Sequence, residues 1–174
     1  MTIINFVSKE GLEPKAKEAW ESHVEKGSLT NMKVALLQDY ATYEAYMGWY
    51  TSWFRLVEVV GKRAATVFAH SISTTNNCLL CSLFFISDLK TQGLDPKALV
   101  LDEKEEMLAE LGRQIVTDPT KVSDELFKRL KTVFNDAEIV VIVGFAGQMI
   151  ATNNFNSVLK IDVDQRLLAF MEEA

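Results

Sequence analysis

Cys78 and Cys81, the two cysteines of the chain, stand three positions apart in Asn76-Asn77-Cys78-Leu79-Leu80-Cys81. Asn77 suits a helix N-cap and Cys78 to Phe85 reads as an apolar helix, so both thiols are expected in the first turn of one helix. A helix N-terminus carries partial positive charge, which favours a thiolate over a thiol. In C-x-x-C the second sulfur can reach back to the first, so an oxidised Cys78 or Cys81 can be captured as an internal disulfide. The plainer alternative is that both pack as small hydrophobes, with Leu79, Leu80, Leu83, Phe84 and Phe85 as the surrounding core. A structural zinc site wants four ligands. The chain offers two cysteines and two widely separated histidines, so neither metal nor cofactor is expected.

The elements that must position these thiols are helical. From Arg55 to Thr75 the pattern is helical with Gly61 as a break, and Glu58, Lys62, Thr66, His70 and Thr74 recur at i, i+4 intervals. His70 stands two turns before Cys78 and approaches the thiols if the chain bends at Asn76-Asn77. It is read either as a proton acceptor for a thiol or as a hydrogen-bonded structural histidine. Upstream, Tyr40, Tyr43, Tyr46, Tyr50, Trp53 and Phe54 form a helical aromatic stripe, with Gly48 as a kink. Such a face is core, subunit interface or the wall of a pocket.

With 174 residues and 48% hydrophobic content, one substantial core and a single domain over 1–174 are expected. The formal charge of −6 and the lack of any basic cluster denser than Lys62-Arg63 argue against a nucleic-acid surface. The start, Met1-Thr2-Ile3-Ile4-Asn5-Phe6, lacks the form of a signal peptide, and Ile139 to Ala146 is too short to span a bilayer. The expectation is a cytoplasmic protein with no membrane partner, where C-x-x-C is more often catalytic or metal-binding than a staple.

Helix ends are well marked elsewhere. Glu13-Pro14 opens a helix carrying Ala16, Ala19, Trp20, His23 and Val24 until Gly27 stops it, with His23 read as solvated or partner-facing. Gly93 ends the cysteine helix, Asp95-Pro96 starts a short one, and Asp102 caps a longer one through Leu108, Leu111 and Ile115. Ser123 caps the Leu126, Leu130, Phe134 segment. Asn135 to Glu138 has capping-box spacing ahead of Ile139 to Ile150, which is read as a buried helix rather than a strand. A last capped segment is expected from Asp162. The fold class is all-α, a single-domain bundle of about eight helices.

With these elements placed, the chain resembles the alkylhydroperoxidase D (AhpD-like) and carboxymuconolactone decarboxylase superfamily, most strongly over residues 62–168. The resemblance rests on Ser73 to Cys81, on Thr117-Asp118-Pro119 with Lys121 to Asp124, on Asn135 to Ile139, and on the tail from Asn153 to Ile161. Asn154 stands where the family's closing helix usually has arginine, and Lys160 where glycine is common. Peroxidase-type members pair the cysteines with a glutamate twelve residues before the first and a histidine four after the second. Here those positions are Thr66 and Phe85. Neither side chain relays a proton as a carboxylate or imidazole does, so His70, one turn after Thr66, is the candidate replacement, with the Thr66 hydroxyl as relay. The candidate catalytic set is therefore Cys78, Cys81, His70 and Thr66.

The resemblance implies an antioxidant thiol peroxidase acting on a small hydroperoxide, or a disulfide oxidoreductase, served by a thiol reductant and built as a homo-oligomer, a trimer or hexamer. The rival expectation is a non-catalytic or redox-sensing member of the scaffold. A decarboxylase-like small-molecule enzyme using the aromatic stripe as its pocket is the third.

Overall fold

A computed structural model describes residues 2–173. Among these residues there are eight α-helices and no strands. The helices are α1 (Pro14–Glu25), α2 (Asn31–Leu36), α3 (Tyr40–Val60), α4 (Lys62–Thr75), α5 (Leu79–Thr91), α6 (Glu103–Thr117), α7 (Asp124–Val133) and α8 (Asp136–Val158). Short 3-10 segments cover Lys9–Gly11, Pro96–Ala98, Pro119–Lys121 and Gln165–Glu173. The all-α expectation is met.

The local rules account for most boundaries. Asp102 with Glu105 and Asn135 with Glu138 form full capping boxes at α6 and α8, each satisfying two orphan backbone donors. Ser123 accepts from Leu126 N at the start of α7. Gly61, at φ 87°, separates α3 from α4, a backbone conformation that a Cβ disfavours. That break takes Glu58 off the stripe it was expected to share with Thr66 and His70. Gly48 does not kink its helix, which is continuous from Tyr40 to Val60. The segment expected to be capped by Asp162 is instead a 3-10 stretch from Gln165. The Asp162 carboxylate accepts from Thr2 Oγ1 at 2.8 Å, so the side chain that was expected to cap the segment ties the two ends of the chain together.

α4 is the central element, packed against α3, α5, α6 and α8. Nine of its fourteen residues are buried, which a helix surrounded on most sides requires. It meets α6 closely at Gly112, where a Cβ would lie 2.5 Å from Ser71 Oγ and 3.0 Å from Ile72 Cγ1. Phe68, Phe85, Leu108, Leu111 and Phe145 carry the main core between these helices. Glu105 is buried at the α4–α6 contact, yet Arg63 meets it through Nε at 2.8 Å and through a second nitrogen at 3.1 Å. A paired, hydrogen-bonded carboxylate avoids most of the penalty of burial.

The apolar run of α8 extends from Asp136 to Val158, well past the Ile139 to Ala146 stretch. By length and composition it could cross a bilayer. One face of it is core here, through Ile142, Phe145, Ala146 and Met149. Val140 and Val143 on the other face are exposed.

Candidate active site

The turn between α4 and α5 builds the sulfur site. Asn77 adopts a left-handed φ of 54°. Its N–H donates to Thr74 O at 3.1 Å, while Cys78 N–H donates to Ser73 O at 3.0 Å. These two bonds are a Schellman closure of α4, with asparagine where glycine is commonest. Asn77 is therefore the residue that ends α4 and not the N-cap of α5, a correction to the sequence reading. The cap is Cys78, whose Sγ accepts from Cys81 N at 3.3 Å. Asn76 Nδ2 fixes the turn from outside by donating to Asn154 Oδ1 at 3.1 Å.

Cys78 and Cys81 are joined as a disulfide, with Cα atoms 5.3 Å apart. Both are almost fully buried. Cys81, and not Cys78, lines a cavity of about 280 Å³. Its walls are Leu80, Phe84 and Phe85 of α5, Tyr46, Met47, Trp49 and Tyr50 of α3, and Met149, Thr152 and Asn156 of α8. The aromatic stripe thus serves three purposes. Tyr43 and Trp53 are core, Tyr46 and Tyr50 are cavity wall, and Phe54 is exposed.

Asn156 is the residue that the sequence reading missed. Its Nδ2 donates to Cys81 Sγ at 3.3 Å and lies at the same distance from Met32 Sδ. A donor aimed at sulfur favours the thiolate over the thiol, adding to the field of the α5 N-terminus. The C-terminus of α8 holds it there. Lys160, at φ 50°, lets Ile161 N–H return to Asn156 O at 2.9 Å, which explains why glycine suits that position. Asn156 Oδ1 and Trp49 Nε1 are buried and without hydrogen-bond partners. The available signal was the asparagine-rich tail, which marks a polar seam in an otherwise apolar helix.

Lys33, 4% exposed, also lines the cavity. Its Nζ donates to Ser28 O at 2.8 Å and lies 3.4 Å from His23 Nδ1. His23 is half-buried rather than solvated, bonded to Ser28 Oγ at 2.9 Å and to Tyr43 Oη at 2.8 Å. Burial first, then the Lys33 and Lys26 charges, lower its pKa. Burial raises that of Tyr43.

Neither Thr66 nor His70 is hydrogen-bonded to a sulfur. The Thr66 hydroxyl lies 2.9 Å from both Lys62 O and Asp88 Oδ2, to which it donates, and accepts from Gln92 Nε2 at 3.1 Å. Asp88 in turn pairs with Lys62 Nζ at 3.0 Å. His70 is largely buried, its Nε2 has no hydrogen-bond partner, and burial lowers its pKa. Among the described residues, no carboxylate or imidazole is hydrogen-bonded to either sulfur.

The class this arrangement defines is an all-α shell with a cysteine pair at the start of an inner helix, and solved structures share the fold. No family model matches the chain, and no curated protein does. The chain has the AhpD-like fold. It is similar to a peroxidase-related protein from Silicibacter sp. TM1040, at 15% identity and a TM-score of 0.78, covering 95% of this chain and 93% of that one. It is also similar to the alkylhydroperoxidase AhpD core of a peroxidase-related protein from Ralstonia eutropha JMP134. There the identity is 14% and the TM-score 0.74, with 95% and 94% of the two chains covered.

Proposed function

We propose that the protein is a two-cysteine thiol peroxidase in which Cys81 attacks a hydroperoxide and Cys78 resolves the product. The observation that carries this reading is the Cys78–Cys81 disulfide, with Cys81 lining a cavity and receiving the Asn156 amide. The Cys81 thiolate takes the terminal oxygen of the hydroperoxide. An S–O bond forms, the O–O bond breaks, and the leaving alkoxide picks up a proton to become an alcohol. The Cys78 thiol then attacks the Cys81 sulfenic acid, the S–S bond forms, and water leaves with the Cys78 proton. A dithiol reductant returns two electrons and two protons. The same sulfur pair supports disulfide exchange, with a substrate disulfide in place of the hydroperoxide.

The proposed acceptor of the Cys81 proton is His70, whose buried Nε2 is unpartnered and whose pKa burial lowers. Thr66 acts with Asp88 in positioning α4 against α5. A homo-oligomer, a trimer or hexamer, in the cytoplasm belongs to the same proposal. Exposed Val140 and Val143 on α8 and Phe54 on α3 are the apolar surface it would cover.

A second reading is a slow redox sensor on the same scaffold, favoured by the lack of an acid or base bonded to either sulfur. Reduced protein is treated with cumene hydroperoxide and mapped by mass. The parent should form the Cys78–Cys81 disulfide, Cys78→Ser should stop at a trappable Cys81 sulfenic acid, and Cys81→Ser should lose the reaction. A parent that reacts no faster than free cysteine at the same pH would replace the peroxidase reading with the sensor.

A further inference from the structure

Lys33 is the charge that the sulfur chemistry leaves unused. It is 4% exposed, lies in the wall of the cavity that Cys81 also lines, and has no carboxylate within salt-bridge distance among the described residues. A buried ammonium without a counter-charge is unfavourable in an apolar setting, and its protein partners are neutral. They are the Ser28 carbonyl, the His23 ring nitrogen and the Tyr50 ring, whose centroid lies 5.2 Å from Nζ. Arg166 adds a second positive group to the lining, and Asp164 a negative one. The Asp164 Oδ1 is already taken by Asn31 N at 2.8 Å. Tyr46, Met47, Trp49 and Phe84 share the lining with them, so one mostly apolar cavity is bordered by both a cation and a sulfur.

We propose that the cavity selects a carboxylate-bearing amphipath, an organic hydroperoxide whose carboxylate pairs with Lys33 Nζ while its hydroperoxide group meets Cys81. The inference rests on the peroxidase reading for the reaction, and on Lys33 alone for the recognition. The thiolate takes the terminal oxygen and the product is the corresponding hydroxy acid. Trp49 and Asn156 belong to the same lining, and each has a buried polar atom without a partner, a donor in Nε1 and an acceptor in Oδ1. Burial favours a neutral His23, so the ammonium keeps a neighbour that does not compete with it for the anion.

Two measurements separate recognition from chemistry. Octanoate and its neutral isostere octanamide are titrated by calorimetry into the oxidised protein, where no thiol is free to react. The expected result is octanoate binding about tenfold or more tightly, as a charge-assisted hydrogen bond in a buried site gives, with that preference lost in Lys33→Met. Next, the reduced protein is oxidised by a fatty-acid hydroperoxide and by its methyl ester. The acid should react faster by a similar factor, and the ratio should fall toward one in Lys33→Met. Equal binding of octanoate and octanamide by the parent overturns the anion site, whatever the thiols do. Octanoate preference with no thiol oxidation by any hydroperoxide overturns the peroxidase reading and leaves the anion site standing.

Discussion

Two polar clusters lie inside this helical shell, and they differ in how completely they satisfy themselves. In the Lys62, Thr66, Asp88, Gln92 cluster, the threonine hydroxyl both donates and accepts, and the carboxylate has a cation and a hydroxyl. In the cavity that holds Cys81, by contrast, the Asn156 oxygen and the Trp49 N–H lack partners, and Lys33 lacks a counter-charge. Buried polar groups are normally paired, and leaving one unpaired costs about 1–3 kcal/mol. The closed cluster spends its polarity on holding α4 to α5. The open one keeps polarity in reserve, and it does so in the cavity that Cys81 lines.

His70 resembles the open kind through its unpaired Nε2 yet does not line the cavity, so its loss tests the contrast most sharply. His70→Gln should slow peroxide-dependent thiol oxidation by ~10²-fold if the imidazole takes the Cys81 proton. An unchanged rate with earlier melting would move it to the structural side. Its folded-state pKa is lowered by burial, so the unfolded chain binds the extra proton first and stability should fall as pH drops below about 6.5. His23 has the same sign, so His70→Gln should weaken that loss in pH-dependent denaturant melts without abolishing it.

Asn156→Ala comes next in size. Removing the donor to Cys81 Sγ should slow oxidation by about tenfold, the value of roughly 1.4 kcal/mol of thiolate stabilisation. If only the melting temperature moves, the amide is packing and not activation. Thr66→Val should show the smallest effect on chemistry and act chiefly on the fold, costing about 1–2 kcal/mol in urea unfolding as Asp88 loses its donor. A parallel loss of oxidation rate would join the two clusters and restore the hydroxyl relay expected from the sequence.

The fold was legible wherever a helix end follows from local chemistry. Asp102, Asn135 with Glu138, Ser123 and Gly61 each mark a boundary that the structure keeps. Asn77 misled because asparagine serves two purposes, as an N-cap acceptor and as a side chain that tolerates positive φ. A pair of helices meeting at one turn offers both positions at once. The site was legible at the cysteines and not at Lys33 or Asn156. Lys33 sits in a six-residue helix, and it is surrounded by Ser28, His23 and Tyr50, groups that only the tertiary fold brings together. Asn156 stands 75 positions from Cys81, a separation at which neither spacing nor periodicity carries information. The AhpD-like fold expected from the cysteine approach and the tail is the one that the solved structures share.

The disulfide between Cys78 and Cys81 encloses a single helical turn. In the chain-entropy account, a cross-link over four residues removes only about 2 kcal/mol of disorder from the unfolded chain. Cys78 N–H and Asn77 N–H hold the turn through backbone carbonyls of α4, bonds that do not involve the sulfurs. The bond is thus nearly detached from the architecture around it. On the proposed function, a pair of electrons would be stored and returned there while the shell, whose order depends on cores and caps elsewhere, registers little of the traffic.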